Sequence, residues 1–202
     1  MTNGFVRTGV LLCVLLAGCA STMPLPPASA QTSQPAAAID LSGRLSVRYQ
    51  HNGNEEALHG SFSWSQRADQ TLVTLMSPLG QTIATIVITP TQASLTQAGQ
   101  PVRSAADPDA LVADALGWPL PIAGLRDWLQ GRANDANGQA VTATPGSDSP
   151  ILTSDGWTLQ YASWNADDST NTVHPKRIDL ARSTNVAGNV TIRIVIDNWQ
   201  PV

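Results

Sequence analysis

"DPDALVADALGWPLPIAGLRDWLQGR", residues 107–132, is the stretch in which the hydrophobic period of the chain changes. Asp107 suits a helix N-cap, Pro108 suits the first turn and Gly117 the stop, so a short helix is expected between them. Leu111 with Ala115, and Val112 with Leu116, give it an apolar stripe at four-residue spacing. After Pro119 and Pro121 the helical pattern restarts, with Ile122, Leu125, Trp128 and Leu129 on one face and Gly131 at its end. The pair reads as an apolar-faced helical hairpin.

On both sides of this insertion the period is two. "GRLSVRYQ" (43–50) sets Leu45, Val47 and Tyr49 against Arg44, Ser46 and Arg48, and "ALHGSFSWSQ" (57–66) sets Leu58, Phe62 and Trp64 against His59, Ser61, Ser63 and Ser65. Both are half-buried antiparallel strands. "TLVTLM" (71–76) and "TIATIVI" (82–88) are apolar on both faces. After the turn-rich residues 134–150, strands resume. "GWTLQYASW" (156–164) carries Trp157, Leu159 and Tyr161, "PKRIDLAR" (175–182) carries Ile178 and Leu180, and "NVTIRIVIDNW" (189–199) carries Val190, Ile192, Ile194 and Ile196. The pattern predicts a mainly β domain of about eight to eleven antiparallel strands with no βαβ rhythm, a single sheet curved around the helices.

The N-terminus is of another kind. "MTNGFVRTGVLLCVLLAGC" has one cation, Arg7, then an apolar stretch too short to span a membrane, then small residues. This is secretory-signal anatomy. "LAGC" at 16–19 resembles the bacterial lipobox, which would make residues 1–18 a signal peptide and Cys19 the acylated first residue of the mature chain. Ala20, in place of an aspartate, favours the outer membrane. Residues 19–38 are a lipidated tether, rich in Pro, Ala, Ser and Thr, that averages roughly 25 Å end to end. Residues 39–202 form the single domain, ample for its own core.

Composition excludes several classes. Losing Arg7 takes the cations from 11 to 10 against 15 acids. No nucleic-acid partner is expected of such a balance, nor electrostatic help toward anionic lipid. Cys13 leaves with the leader, so no thiol or disulfide remains behind Cys19. His51, His59 and His174 show no ligand spacing, so neither a metal nor a cofactor is expected. No nucleophile elbow, Walker A or dinucleotide loop is present, and an enzyme is not expected.

Two features stay unexplained by these classes. The chain has six Trp against two Phe and two Tyr. They are ordinary core and rim residues, or they wall a cavity for a greasy ligand. "SPLG" (77–80) fits a type I turn, with Ser, Pro and Gly at its first, second and fourth corners. Turn chemistry has no use for Leu79 at the third. It either folds back onto the neighbouring strands or protrudes.

The order of motifs resembles the LolB family, outer-membrane lipoprotein receptors of the lipoprotein-sorting pathway. The matching pieces are "LAGC", "GRLSV", "GSFSWSQ", "LMSPLGQTIATI", "LGWPLPIAGLRDWLQGR", "GWTLQYASW", "PKRIDL" and the closing "IDNW", in order over almost the whole mature domain. The resemblance implies an unclosed antiparallel β-barrel with an α-helical lid over an apolar cavity. It implies a monomer that takes triacylated lipoproteins from a soluble periplasmic carrier, LolA, and places them in the inner leaflet of the outer membrane. The family's releasing leucine on a protruding loop would be Leu79, with Pro78 and Gly80 shaping the tip. Inward strand faces carrying Leu45, Val47, Phe62, Trp64, Trp157 and Leu159, and lid residues Leu111, Leu125 and Trp128, are expected to line the cavity. The competing expectation is an outer-membrane assembly lipoprotein with a filled core and no acyl cargo. A contiguous void under the helices would favour the first, a packed interior the second.

Overall fold

The computed structural model describes residues 38–167 and 172–202. The leader, Cys19 and most of the tether lie outside the described residues. Six strands come first: β1 (Ile39–His51), β2 (Asn54–Gln66), β3 (Thr71–Met76), β4 (Thr82–Ile88), β5 (Ala93–Thr96) and β6 (Arg103–Ala105). The helices α1 (Pro108–Leu116) and α2 (Ile122–Trp128) follow, then β7 (Arg132–Asn134) and β8 (Ala140–Thr142). The chain closes with β9 (Ile151–Leu152), β10 (Thr158–Asp167), β11 (Thr172–Thr184) and β12 (Gly188–Pro201).

Ten strands make one antiparallel sheet in the order β6-β5-β4-β3-β2-β1-β12-β11-β10-β9. Two meanders therefore meet at β1 and β12, and the end strands β6 and β9 do not pair with each other. This is an unclosed barrel, and the helices are the chain that connects its two free edges.

Alternation decides which face is the core. Leu45 lies opposite Ile194, and Val47 opposite Ile192, while Leu45 and Val47 face Gly60 and Leu58 on the other side. All are on the helix-covered face. A one-residue slip would turn every one of these side chains to solvent, so the register is strongly held. Val47, Phe62, Trp64, Trp157 and Leu159 are all buried, so the strand parity expected from the sequence is the parity of the fold. Leu58 is the exception at 40 % exposed, because β3 ends at Met76 opposite Ser61 and leaves that end of β2 uncovered.

The first helix forms as its caps require. Asp107 accepts hydrogen bonds from the amides of Asp109 (2.9 Å) and Ala110 (3.2 Å), and the Gly117 amide closes the other end on the Ala113 carbonyl at 2.9 Å. The second has no side-chain cap of its own at Pro121. Its Ala123 amide is bound instead by Asp109 of α1 at 2.9 Å, which welds the two helices into one hairpin. It ends at Trp128, three residues before Gly131.

Residues 134–150, read as a turn-rich connection, contain more order than that. Ala133 pairs with Val141 in the separate β7–β8 hairpin. Its turn is organised by Asp135, whose side chain accepts from the amides of Asn137 and Gln139 at 2.8 Å.

Candidate functional site

The hairpin between β3 and β4 is closed by three backbone and side-chain bonds. The Gly80 amide reaches the Ser77 carbonyl at 2.9 Å, the Ser77 amide reaches Gln81 at 2.8 Å, and the Gln81 amide reaches the Ser77 hydroxyl at 3.2 Å. Gly80 takes a φ of +78°, which a residue with a Cβ rarely adopts. None of these bonds involves the Leu79 side chain, which stands 88 % exposed between exposed Pro78 and Gly80. The leucine does not fold back onto its strands. The base of the turn is set by Gly60, where an added Cβ would come 2.3 Å from the Met76 carbonyl oxygen.

Under the helices the apolar space measures only about 20 Å³. Its sheet wall is Leu45, Phe62, Trp64, Val73, Leu75, Ile192 and Ile194, and its roof is Leu120, Ile122, Leu125 and Leu129. The interior is closed. Of the residues expected to line a cavity, Leu45, Phe62, Trp64 and Leu125 meet there. Val47, Leu111, Trp128, Trp157 and Leu159 are buried in the same core and do not reach the space. Val73, Leu75, Ile192 and Ile194 of the wall and Leu120, Ile122 and Leu129 of the roof lie outside that expectation. Alternation marked Ile192 and Ile194 and helical spacing marked Ile122 and Leu129 as apolar-facing, whereas β3, apolar on both faces, left Val73 and Leu75 undecided. Volume could not be read that way. An unfilled cavity of roughly 400 Å³ would cost on the order of 10 kcal/mol at ~24 cal/mol per Å³, about the whole stability of a domain. Side chains of the lid close that space instead.

Beside the lid the surface opens into a groove of about 210 Å³. Ala115, Leu116 and Trp118 form one wall, and Leu58, Met76 and Ile83 the other. Leu45 and Leu75 line both the groove and the inner space, so the two are separated by little more than these side chains. Met76 and Ile83 flank the turn that carries Leu79. A mainly apolar groove, with His59 and Gln97 among its lining, thus runs from beside the inner space to the strand ends that carry the turn of Leu79.

The lid is held unequally. On the α2 side, the buried Tyr161 hydroxyl donates to the Trp128 carbonyl at 3.0 Å, and burial pushes that phenol's pKa up. Arg126 donates to the Arg67 carbonyl at 3.0 Å and reaches Thr71 at 3.4 Å, fastening α2 to the β2–β3 turn. The α1 side shows an exposed ion pair to β6, Arg103 to Asp114 at 2.8 Å. Asp109, between the helices, has its carboxyl raised above the ordinary range, chiefly by burial.

Four of the six tryptophans, Trp64, Trp118, Trp128 and Trp157, are buried core residues. His174 is buried and stacks on Trp199 with ring centres 4.8 Å apart. Among the described residues no cluster of three or more His, Cys, Asp or Glu could hold a metal, and no helix is long and apolar enough to cross a membrane.

An open antiparallel barrel, roofed by an apolar helical hairpin and carrying a protruding leucine, is the architecture that the lipoprotein-receptor resemblance implies. The chain belongs to the LolB family: the family described as "Outer membrane lipoprotein LolB" matches residues 37–199. Among its relatives, the outer-membrane lipoprotein LolB of Cupriavidus taiwanensis is 38 % identical, with 96 % of this chain and 98 % of that one covered. The protein of the same name from Cupriavidus necator is 39 % identical over 93 % of this chain and 92 % of its own, and that from Thiobacillus denitrificans 38 % identical over 92 % and 91 %. A crystal structure of a LolA-superfamily protein from Nitrosomonas europaea is similar with a TM-score of 0.44 at 8 % identity, covering 86 % of this chain and 90 % of that one. The packed interior is the outcome expected of a filled-core assembly factor, so the void does not separate the two readings. Family membership does, placing the chain among outer-membrane lipoproteins of the lipoprotein-localisation pathway and leaving the assembly factor the less favoured alternative.

Proposed function

We propose that this chain is a lipid-anchored receptor, acylated at Cys19, that accepts triacylated lipoproteins from a soluble LolA-type periplasmic carrier and inserts them into the inner leaflet of the outer membrane. It works as a monomer, with no cofactor and no chemical step of its own. The observations that carry this reading are the groove shared by Leu45 and Leu75 with the space under the lid, which reaches Met76 and Ile83, and the exposed Leu79 on the turn that joins those two strands.

The energetics suit a hand-over between apolar surfaces. At ~0.8 kcal/mol per CH₂, one long acyl chain in water costs on the order of 10 kcal/mol, and three cost far more. Diffusion of free cargo is therefore excluded. The closed interior fits the same scheme, because Ile122, Leu125 and Leu129 occupy the site that an acyl chain would take. Swinging the lid about its α2 side, α1 edge first, draws them off the sheet and exposes apolar surface. The incoming chain covers it again, so uptake is an exchange of nearly equal contacts. With no nucleotide motif in the chain, direction comes from rising affinity at each step.

Anchor and tip can reach one leaflet. The tether joins at Ile39, level with Gln66 and Thr71, and the tip lies beyond the other end of β3. Six strand residues at ~3.3 Å each put about 20 Å between them, and the tether averages roughly 25 Å. Inserting Leu79 gains only about 1.5–3 kcal/mol, enough to tilt the lid's open side toward the bilayer and too little to anchor the protein.

The test is a transfer assay from the carrier to liposomes. Leu79→Glu is expected to fold and to take cargo from the carrier, but to release little of it into the vesicles. Full delivery by that variant would remove Leu79 from the mechanism. The full mature chain with Cys19→Ala, exported by another signal, is expected to be soluble and still to bind acylated cargo. Loss of binding in a well-folded chain would contradict a self-contained site.

A further inference from the structure

We infer that the outer face of β1, β11 and β12, beside the Leu79 tip, is a docking surface for anionic phospholipid headgroups. This rests on the reading that Leu79 meets the leaflet, and it revises the expectation that an acidic chain receives no electrostatic help there.

Alternation that turns Leu45 and Val47 inward turns Arg44, Ser46 and Arg48 outward. Register then gathers cations from distant parts of the chain. Arg193 lies opposite Ser46, Asp179 lies opposite Arg193, and Val195 lies between Arg44 and Arg177. Neighbouring strands are ~4.8 Å apart, so these groups form one field. Its carboxylates are shared. Asp179 accepts from both Arg177 (2.5 Å) and Arg193 (2.9 Å), and Asp197 from Arg44 at 2.8 Å, with Lys176 at 3.8 Å. Each of these two acids is thus outnumbered by the cations around it, and Arg48 has no acidic partner among the described residues. Five cations, Arg44, Arg48, Lys176, Arg177 and Arg193, meet three carboxylates on this face, and one of these, Asp40 at the far end of β1, is held by Arg67 of the β2–β3 turn. The other five cations behind Cys19 are set against twelve carboxylates. The chain is acidic in sum and basic here.

The position of the field is what points to a membrane. Arg44, Ser46, His59, Ser61 and Arg193 line an open depression of about 520 Å³, and Pro78 of the protruding turn is part of its rim. A leaflet that receives Leu79 brings its headgroups to that depression. An exposed apolar side chain flanked by guanidinium groups matches the boundary between acyl region and phosphate. Shared carboxylates keep the attraction weak, so the tethered domain can bind and leave.

The experiment is flotation of the full mature chain carrying Cys19→Ala with phosphatidylethanolamine vesicles, with and without phosphatidylglycerol. Phosphatidylglycerol is expected to strengthen binding roughly three- to tenfold, an effect that salt erases. Arg48→Gln with Arg193→Gln removes this gain without changing the melting temperature or binding to the zwitterionic vesicles. Asp179 keeps Arg177 as its partner in that variant. Leu79→Glu reports on the tip separately, lowering binding to both vesicle types. Equal binding of the parent chain to both vesicles would overturn the inference, as would a gain that survives the double substitution. A double variant that floats normally but takes cargo slowly from the carrier would also overturn it, assigning the face to an acidic protein surface.

Discussion

The two helices of the lid are nearly equal in length but differ in how they are held, and the difference indicates which one moves. Ile122, Leu125 and Trp128 of α2 are buried, and a buried bond from Tyr161 and a part-buried one from Arg126 fasten that helix to β10 and to the β2–β3 turn. On α1, Leu111 and Val112 are buried, but Ala115 and Leu116 border the open groove and the ion pair to β6 is exposed. Exposed ion pairs add little. In this scheme α2 is the hinge side and α1 the edge that lifts.

The largest effect is expected on the hinge. Ile122→Ala should cost about 2–5 kcal/mol, because the side chain is 1 % exposed and packs at the centre of the lid–sheet contact. The same truncation at half-buried Leu116 should cost less and should slow cargo transfer more, as measured by chemical denaturation beside the transfer assay. Equal stability losses would erase the distinction between the helices.

Tyr161→Phe comes next, at about 1–1.5 kcal/mol. The Trp128 carbonyl keeps the Gly131 amide at 3.0 Å, so it is not orphaned. Hydrogen exchange should quicken at α2 and remain unchanged at α1.

Asp107→Ala removes the N-cap of α1 and should cost about 1 kcal/mol. Its informative readout is kinetic. Acyl uptake should become faster in this variant, since the first turn of the moving helix frays, whereas Tyr161→Phe changes uptake less.

Asp109→Asn is the mildest. Burial raises the folded-state pKa of this carboxyl, so its contribution to stability is fullest below the unfolded-state value and is lost as pH rises through the folded one. At neutral pH the half-buried charge is a cost. The asparagine oxygen can still accept from the Ala123 amide, so the variant should melt at or above the parent temperature at pH 7. The parent should regain ground as the pH falls into the carboxylate range.

These contrasts also mark what could be read from the residues in order. The caps of α1 were legible because Asp107, Pro108 and Gly117 act on their own neighbours. Strand parity was legible because side chains alternate whatever the partner strand. Leu79 stood out because the turn chemistry of Ser77, Pro78 and Gly80 leaves it no task. Properties that depend on assembly were not legible. Asp109 caps α2 across the hairpin, a bond between residues fourteen apart that no local rule supplies. The closed interior depends on how far the lid side chains reach, which polarity does not encode. Net charge sums over the chain, whereas the basic outer face exists only once β1, β11 and β12 are in register.

If acyl chains lodge between the lid and the inner face of the sheet, benzoylphenylalanine at two adjacent positions of β1 will report it. Leu45 lies at the boundary of the inner space and the groove, and Ser46 lies on the outer face. With acylated lipoprotein loaded from the carrier, position 45 should crosslink to the acyl chains and position 46 should not. Crosslinks at 46 with none at 45 would contradict the account.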